Sequence, residues 1–273
     1  MINGFKWGQR TYLMGILNVT PDSFSDGGQF NSLEGAIDQA LHLVNHGADI
    51  LDIGGQSTRP GAEQISIPVE ISRVVPVIQA LRNQGITQPI SVDTTRAIVA
   101  EQAIQAGANL VNDISGATFD PAMLKTVATL DIPLILMHIR GTPATMQTLT
   151  DYQDVVGEVY EFLAQRLQAA LAAGIKQEHL IIDPGIGFAK TAEQNITLLQ
   201  NLDHFCSLRV PILVGVSRKS FIGKILDRPE PKARIWGTAA ATCGAIAQGA
   251  DIIRTHDFPE MFDVARVADA IWR

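Results

Sequence analysis

Short apolar runs alternate along this chain with longer segments whose apolar residues recur at helical spacing. Gly47-Ala48-Asp49 leads into an apolar run at 50–53, Gly107-Ala108-Asn109 into one at 110–113, and Gly249-Ala250-Asp251 into one at 252–254. Gly174 leads, slightly later, into 180–183. Each unit reads as a helix ended by a glycine, followed by a strand closed by a polar residue. Three further strands, 90–93, 134–138 and 212–217, begin just after a proline, and residues 12–17 add another, which makes eight. Between them the spacing predicts helices over 32–46, 68–83, 96–106, 122–130, 152–173, 191–202, 235–247 and 259–272. The first carries Leu33, Ala36, Ile37, Ala40, Leu41 and Val44 on one face.

Strands this uniformly apolar are covered on both faces, as parallel strands under helices are. Eight strand–helix units in 273 residues predict an α/β fold, a (β/α)8 TIM barrel, with the whole chain as a single domain; about 250 residues is typical of that fold. A doubly wound open sheet is the alternative, and it does not require eight such regular units. In a barrel all strand C-termini share one face with the helix N-termini that follow, where free N–H groups and positive dipole ends favour anions. The residues that close the strands are Asn18, Asp52, Asp93, Asn112, His138, Asp183, Arg218-Lys219, and Arg254 with His256. This mixture of acceptors, amides and cations suits a polar heterocycle carrying an anionic group.

Charge and composition narrow the partners. The formal net charge is −7 and no Lys/Arg stripe is visible, which argues against a duplex nucleic acid. Cys206 and Cys243 lie far apart and form no Cys-x-x-Cys pair, so neither a disulfide framework nor a cysteine zinc site is expected, and a reducing cytoplasm fits. The most apolar short run, 132–137, is too short to span a bilayer, and a soluble cytoplasmic protein with no membrane partner is expected.

Two loops stand out. After the first strand the chain turns polar through Asn18-Val19-Thr20-Pro21-Asp22-Ser23-Phe24-Ser25-Asp26-Gly27-Gly28. A loop this long is more often functional than a passive connector. Asp52-Ile53-Gly54-Gly55-Gln56-Ser57-Thr58-Arg59-Pro60-Gly61 is a second glycine-flanked loop, in which Arg59 can pair with phosphate oxygens bidentately. Asp183-Pro184-Gly185-Ile186-Gly187-Phe188-Ala189-Lys190 superficially suggests a phosphate loop but lacks the Walker A spacing. His42 and His46, without a His-Glu-x-x-His context, read as surface or packing residues, and Trp7, Trp236 and Trp272 as core or rim residues.

Taken together, residues 15–28, 52–61, Ser91-Val92-Asp93-Thr94, Asn112-Asp113-Ile114-Ser115-Gly116, Leu136-Met137-His138, 183–188, Ser217-Arg218-Lys219-Ser220 and Arg254-Thr255-His256-Asp257 resemble the dihydropteroate synthase family, in family order and over nearly the whole chain. Three departures are visible: Gln56 where a Glu is common, Ala189 in place of a glycine, and Thr255 and Phe258 in place of valines. The resemblance implies condensation of 6-hydroxymethyl-7,8-dihydropterin diphosphate with 4-aminobenzoate, giving dihydropteroate and pyrophosphate in folate synthesis. It implies that Asp93, Asn112, Asp183 and Lys219 hold the pterin, and that Arg59, Arg254 and His256 hold the diphosphate. It also implies Mg2+ on Asn18, and Thr58, Pro60, Phe188 and Ser220 around 4-aminobenzoate. Asp22 and Asp26 would close the site, with Asp93, Lys219 and Arg254 taking part in the chemistry. A homodimer and competition by sulfonamides are implied as well. A pterin-binding methyltransferase of the same superfamily and a non-catalytic pterin-binding paralogue stay open as alternatives.

Overall fold

Alternation along a strand puts every second residue on one face, and in this protein that face closes into a ring. A computed structural model describes residues 2, 4–20, 29–58 and 61–273. The strands are β1 (Tyr12–Asn18), β2 (Ile50–Gly54), β3 (Ile90–Asp93), β4 (Leu110–Asp113), β5 (Leu134–Met137), β6 (Leu180–Asp183), β7 (Leu213–Val214) and β8 (Ile252–Thr255). The helices among the described residues are α1 (Gln29–Asn45), α2 (Ile67–Asn83), α3 (Ala97–Gln105), α4 (Met123–Leu130), α5 (Val155–Ala172), α6 (Ala192–Gln200), α7 (Ser220–Leu226), α8 (Ile235–Ala247) and α9 (Glu260–Trp272). All strand pairs are parallel, in the order β6-β5-β4-β3-β2-β1-β8-β7. A parallel bridge from Ile182 to Ile212 brings β6 to the start of β7 and completes the (β/α)8 barrel.

The two sides of the strands do different work. Leu13, Leu17, Leu51, Ile53, Val92, Val111, Leu136, Ile182, Val214 and Ile253 pack with the helices in the main core. Tyr12, Met14, Ile50, Leu110, Ile135, Ile181, Leu213 and Ile252 fill the barrel interior with Ile2. Two residues further along the same inward face stand Asp52, Asn112, Asp183 and Arg254. The interior is therefore an apolar plug capped by a polar layer, and the polar layer is the floor of the site.

The repeated glycines behave as their position predicts. Gly47, Gly107, Gly174 and Gly249 end their helices at φ of 93°, 114°, 97° and 96°, a region open to glycine and costly for other residues. Two elements differ from expectation. The apolar run at 212–217 forms only a two-residue strand, because the chain past Gly215 leaves the sheet and turns at Arg218 with φ 59°. Directly after it comes α7, whose N-terminus has no side-chain cap and so no start signal in the sequence. Trp236 is 80% exposed at the start of α8 and belongs to no core.

Candidate active site

Register brings the strand-end groups together. Asn18 pairs with Gly54, Gly54 with Asp93, and Asp93 with Asn112 across four adjacent strands. From β8, Arg254 reaches across the interior, donating from Nε to Asp52 Oδ2 at 2.6 Å and from Nη2 to Asp93 Oδ2 at 2.8 Å. Asn112 donates from Nδ2 to the same Asp52 oxygen at 3.1 Å. The other Asp52 oxygen is buried with no partner. Burial pushes Asp93 well above the usual carboxylate range; Arg254 pulls it back and Asp52 adds to the rise. Burial lowers the Arg254 guanidinium, but Asp52 and Asp93 outweigh it and leave Arg254 above the ordinary arginine value.

The β6 side carries the second half of the site. Asp183 is buried, and its Oδ1 accepts the Gly185 N–H at 2.7 Å. Burial raises its pKa to about 6 against that hydrogen bond and against Lys219, Arg254 and Lys190. Lys219, just before α7, is pulled down to about 8 by burial, opposed by Asp183. Its ammonium stands 4.2 Å from the centroid of the Phe188 ring. Ser220, the first residue of α7, is exposed beside it. Ala189, where the resembled family has a glycine, sits at φ 50°, so the departure costs about 1 kcal/mol of backbone strain.

The loops above the ring place the remaining residues. His256 and Ser217 meet between Nδ1 and Oγ at 3.0 Å, and Ser217 is held toward Asp257, which pairs with Arg218 through Nε at 3.0 Å. Gln56 donates to the carbonyls of Ser57 (2.9 Å) and Glu63 (2.8 Å) and accepts from Ile65 N–H (2.8 Å). A glutamate cannot make those two donations, so the departure at Gln56 serves the shape of the β2–α2 loop. Thr58 lines a cavity of about 330 Å3 that runs outward from Asp93 past Thr94, Arg96, Phe119 and Pro143. Asp22, Asp26, Arg59 and Pro60 lie outside the described residues.

Lys190 was assigned no role from sequence, yet it is buried at 5% exposure beside the site. Its only local signal is a lone lysine in a glycine-rich strand–helix turn. Asp52 and Asp93 pair with Arg254, while the electrostatic neighbours of Asp183 include Lys219 and Lys190. Asn18 Oδ1 stands beside Gly54, where an added Cβ would lie 3.8 Å from it and 3.7 Å from Asp93 Oδ2. Among the described residues no group of three or more His, Cys, Asp or Glu side chains makes a metal cage. One amide oxygen at the mouth of a carboxylate ring fits Mg2+, which keeps waters and shares substrate phosphates rather than occupying an all-protein cage.

Residues 14–256 match the family model described as pterin binding enzyme. The chain is 62% identical over 269 residues to the dihydropteroate synthase of a Synechocystis strain, covering 98% of this chain and 93% of the relative. It superposes with TM-score 0.93 and 45% identity on the dihydropteroate synthase of Clostridium difficile crystallised in the presence of pteroic acid, covering 98% and 99% of the two chains. With TM-score 0.90 and 44% identity it also matches the Xanthomonas albilineans dihydropteroate synthase with 4-aminobenzoic acid, covering 96% and 93%.

Proposed function

The chain belongs to the pterin-binding enzyme family and is a transferase with dihydropteroate synthase activity, and from that premise we propose how its residues carry the reaction. The observation that supports the assignment is the convergence of Asp52, Asp93, Asn112, Asp183, Lys219 and Arg254 on the polar floor of the barrel. The substrates are 6-hydroxymethyl-7,8-dihydropterin diphosphate and 4-aminobenzoate.

A pterin's aminopyrimidine edge presents adjacent N–H donors. Asp183 has one oxygen tied to Gly185 and the other available, so its carboxylate accepts from that edge. Asp93 and Asn112 complete the in-plane hydrogen bonds, and Lys219 donates to the ring from the Phe188 side. Each buried polar group left unmatched costs about 1–3 kcal/mol, so this set selects a flat heterocycle of that pattern. Arg254 and His256 serve the diphosphate, and Arg59 is assigned to the same anion. Asn18 would hold Mg2+, which supplies positive charge against the departing pyrophosphate.

The neutral amine of 4-aminobenzoate attacks the pterin methylene. The new C–N bond forms as the C–O bond to the diphosphate breaks, pyrophosphate leaves with that electron pair, and the attacking nitrogen gives up a proton. Arg254, fixed by two carboxylates, needs little reorganisation as charge grows on the leaving group. Phe188, Thr58, Pro60 and Ser220 are assigned to the aminobenzoate, and Asp22 and Asp26 to closing the site. Incubation with both substrates and Mg2+, followed by mass spectrometry, tests this; absence of dihydropteroate would refute it.

The whole chain is read as one domain that works as a homodimer. Ile225 and Leu226 on α7 and Trp236 on α8 are exposed apolar side chains, and a second copy would cover them; a sedimentation run yielding only monomer would refute that pairing. No helix among the described residues is long and apolar enough to cross a membrane, and the free cysteines Cys206 and Cys243 support a cytoplasmic location.

A further inference from the structure

Lys190 is the buried cation for which the reaction above has no use. Its ammonium has three N–H donors, and all are spent: on Phe188 O at 2.9 Å, Gly185 O at 3.0 Å and His138 Nδ1 at 2.9 Å. The first two carbonyls belong to the β6–α6 loop and the imidazole to the end of β5. That loop lies directly on catalytic groups. A Cβ on Gly187, at φ 85°, would come within 2.8 Å of Lys219 Cδ, and one on Gly185 within 2.0 Å of the His138 carbonyl oxygen. The loop therefore touches β5 on one side and the Lys219 stem on the other, with the Phe188 ring over the Lys219 ammonium.

We propose that Lys190 is a positioning residue for the transfer: by stapling the Gly185 and Phe188 carbonyls to His138, it holds Phe188 and Gly187 against Lys219 and so keeps the aminobenzoate wall in place. This rests on the substrate roles given above to Phe188 and Lys219. A hydrocarbon at position 190 would take the Lys190 donor from the Phe188 carbonyl and the His138 ring nitrogen, and would leave the Gly185 carbonyl only the Phe188 N–H at 3.1 Å. Asn195, which accepts the Gly187 N–H at 2.6 Å and donates to Thr191 O at 2.7 Å, ties the middle of the loop to α6 and does not reach His138 or the Phe188 carbonyl.

The titratable and charged groups facing Lys190 are His138 and Arg140 from the end of β5, Asp183 from β6 and Lys219 from the β7–α7 turn. Burial, together with Lys219 and Arg140 and against Asp183, brings Lys190 down to about 7. Burial and the neighbouring cations Lys190 and Arg140 hold His138 neutral, so its Nδ1 can accept.

The test is Lys190→Met, with substrate kinetics and amide exchange measured together. The KM for 4-aminobenzoate should rise about fivefold or more, and the Gly187 and Phe188 amides should exchange faster. Unchanged exchange and unchanged KM overturn the proposal. Faster exchange with normal kinetics also overturns it, since the loop would be held without serving the chemistry. Should Lys190→Met not fold, His138→Leu removes one of the three acceptors and must raise the same KM in the same direction, or the proposal fails. Phe188→Ala run in parallel separates the two readings: if it alters neither substrate constant, the role given to Phe188 is wrong, while exchange still judges the staple.

Discussion

Lys219 and Phe188 reach the site on separate strand–helix turns, yet the ammonium of one stands 4.2 Å from the ring centroid of the other. The ring lies where a partly desolvated cation gains about 0.5–2 kcal/mol from a π face. Phe188→Leu keeps an apolar wall and removes that face. The KM for 4-aminobenzoate should rise by roughly 2- to 30-fold on the same energy scale, and Lys219 should titrate lower still. A KM equal to that of the unaltered protein would separate Phe188 from the aminobenzoate site.

Asp183→Asn keeps size and an oxygen for the Gly185 N–H, but turns the substrate-facing oxygen into a donor. Pterin diphosphate affinity should fall by about 2–4 kcal/mol, on the order of 30- to 1000-fold. Stability should move the other way. The folded pKa of about 6 lies above the ordinary aspartate value of 3.8, so the native state binds more protons between those values. The contribution of Asp183 to stability is therefore present below 3.8 and lost as pH rises through about 6. At pH 7 the ligand-free Asn variant should melt no lower than the parent. Calorimetry and a melting curve read both arms, and a fall in both would make Asp183 a structural residue.

Arg254 has two duties, and its removal should show both. Arg254→Ala leaves Asp52 and Asp93 buried without their cation, a loss of about 3–5 kcal/mol for a broken buried pair. It should also weaken diphosphate binding far more than binding of a pterin that lacks the diphosphate. Lys219→Ala should weaken both ligands alike. Equal sensitivity of the two ligands to Arg254→Ala would place the anion elsewhere.

The pH profile of kcat/KM should be a bell. Asp183 must be ionised to accept from the pterin, which sets an acid limb near about 6, and Lys219 must keep its proton, which sets an alkaline limb near about 8. Asp93, also raised by burial, shares the acid limb, so the apparent values belong to the coupled set. A flat profile from pH 5 to 9, the range about one unit beyond each limb, would remove both groups from the mechanism.

Binding should be ordered. Asn18 and Thr58 lie on the segments of the chain that carry Asp26 and Arg59, and on the roles proposed for Asn18 and Arg59 a diphosphate with Mg2+ would engage both. 4-Aminobenzoate, or a competing sulfonamide, should bind more tightly to protein holding pterin, pyrophosphate and Mg2+ than to protein alone, and the help must be mutual. Equal affinities in the two titrations would mean the second site is preformed.

The repeating strand–helix unit was legible because it is local. Glycine C-caps, apolar runs and strand-closing polar residues all operate within a few positions of one another, and eight units of parallel character leave few other ways to bury their faces. The chemistry at the strand ends was legible for the same reason: a strand that stops being apolar at Asp93, Asn112 or Asp183 announces where it meets the site. The pairings among these residues were not legible. Arg254 meets Asp52 and Asp93 across 202 and 161 residues of sequence, and the barrel's register and closure determine that encounter. The same holds for Lys190, whose neighbours His138 and Lys219 come from other strands, and for Trp236, whose helical position says nothing about what covers it. Residue type and local period set what each unit offers; the closed sheet decides which offers meet, because only there does low-dielectric burial make each unpaired charge costly enough to select its partner.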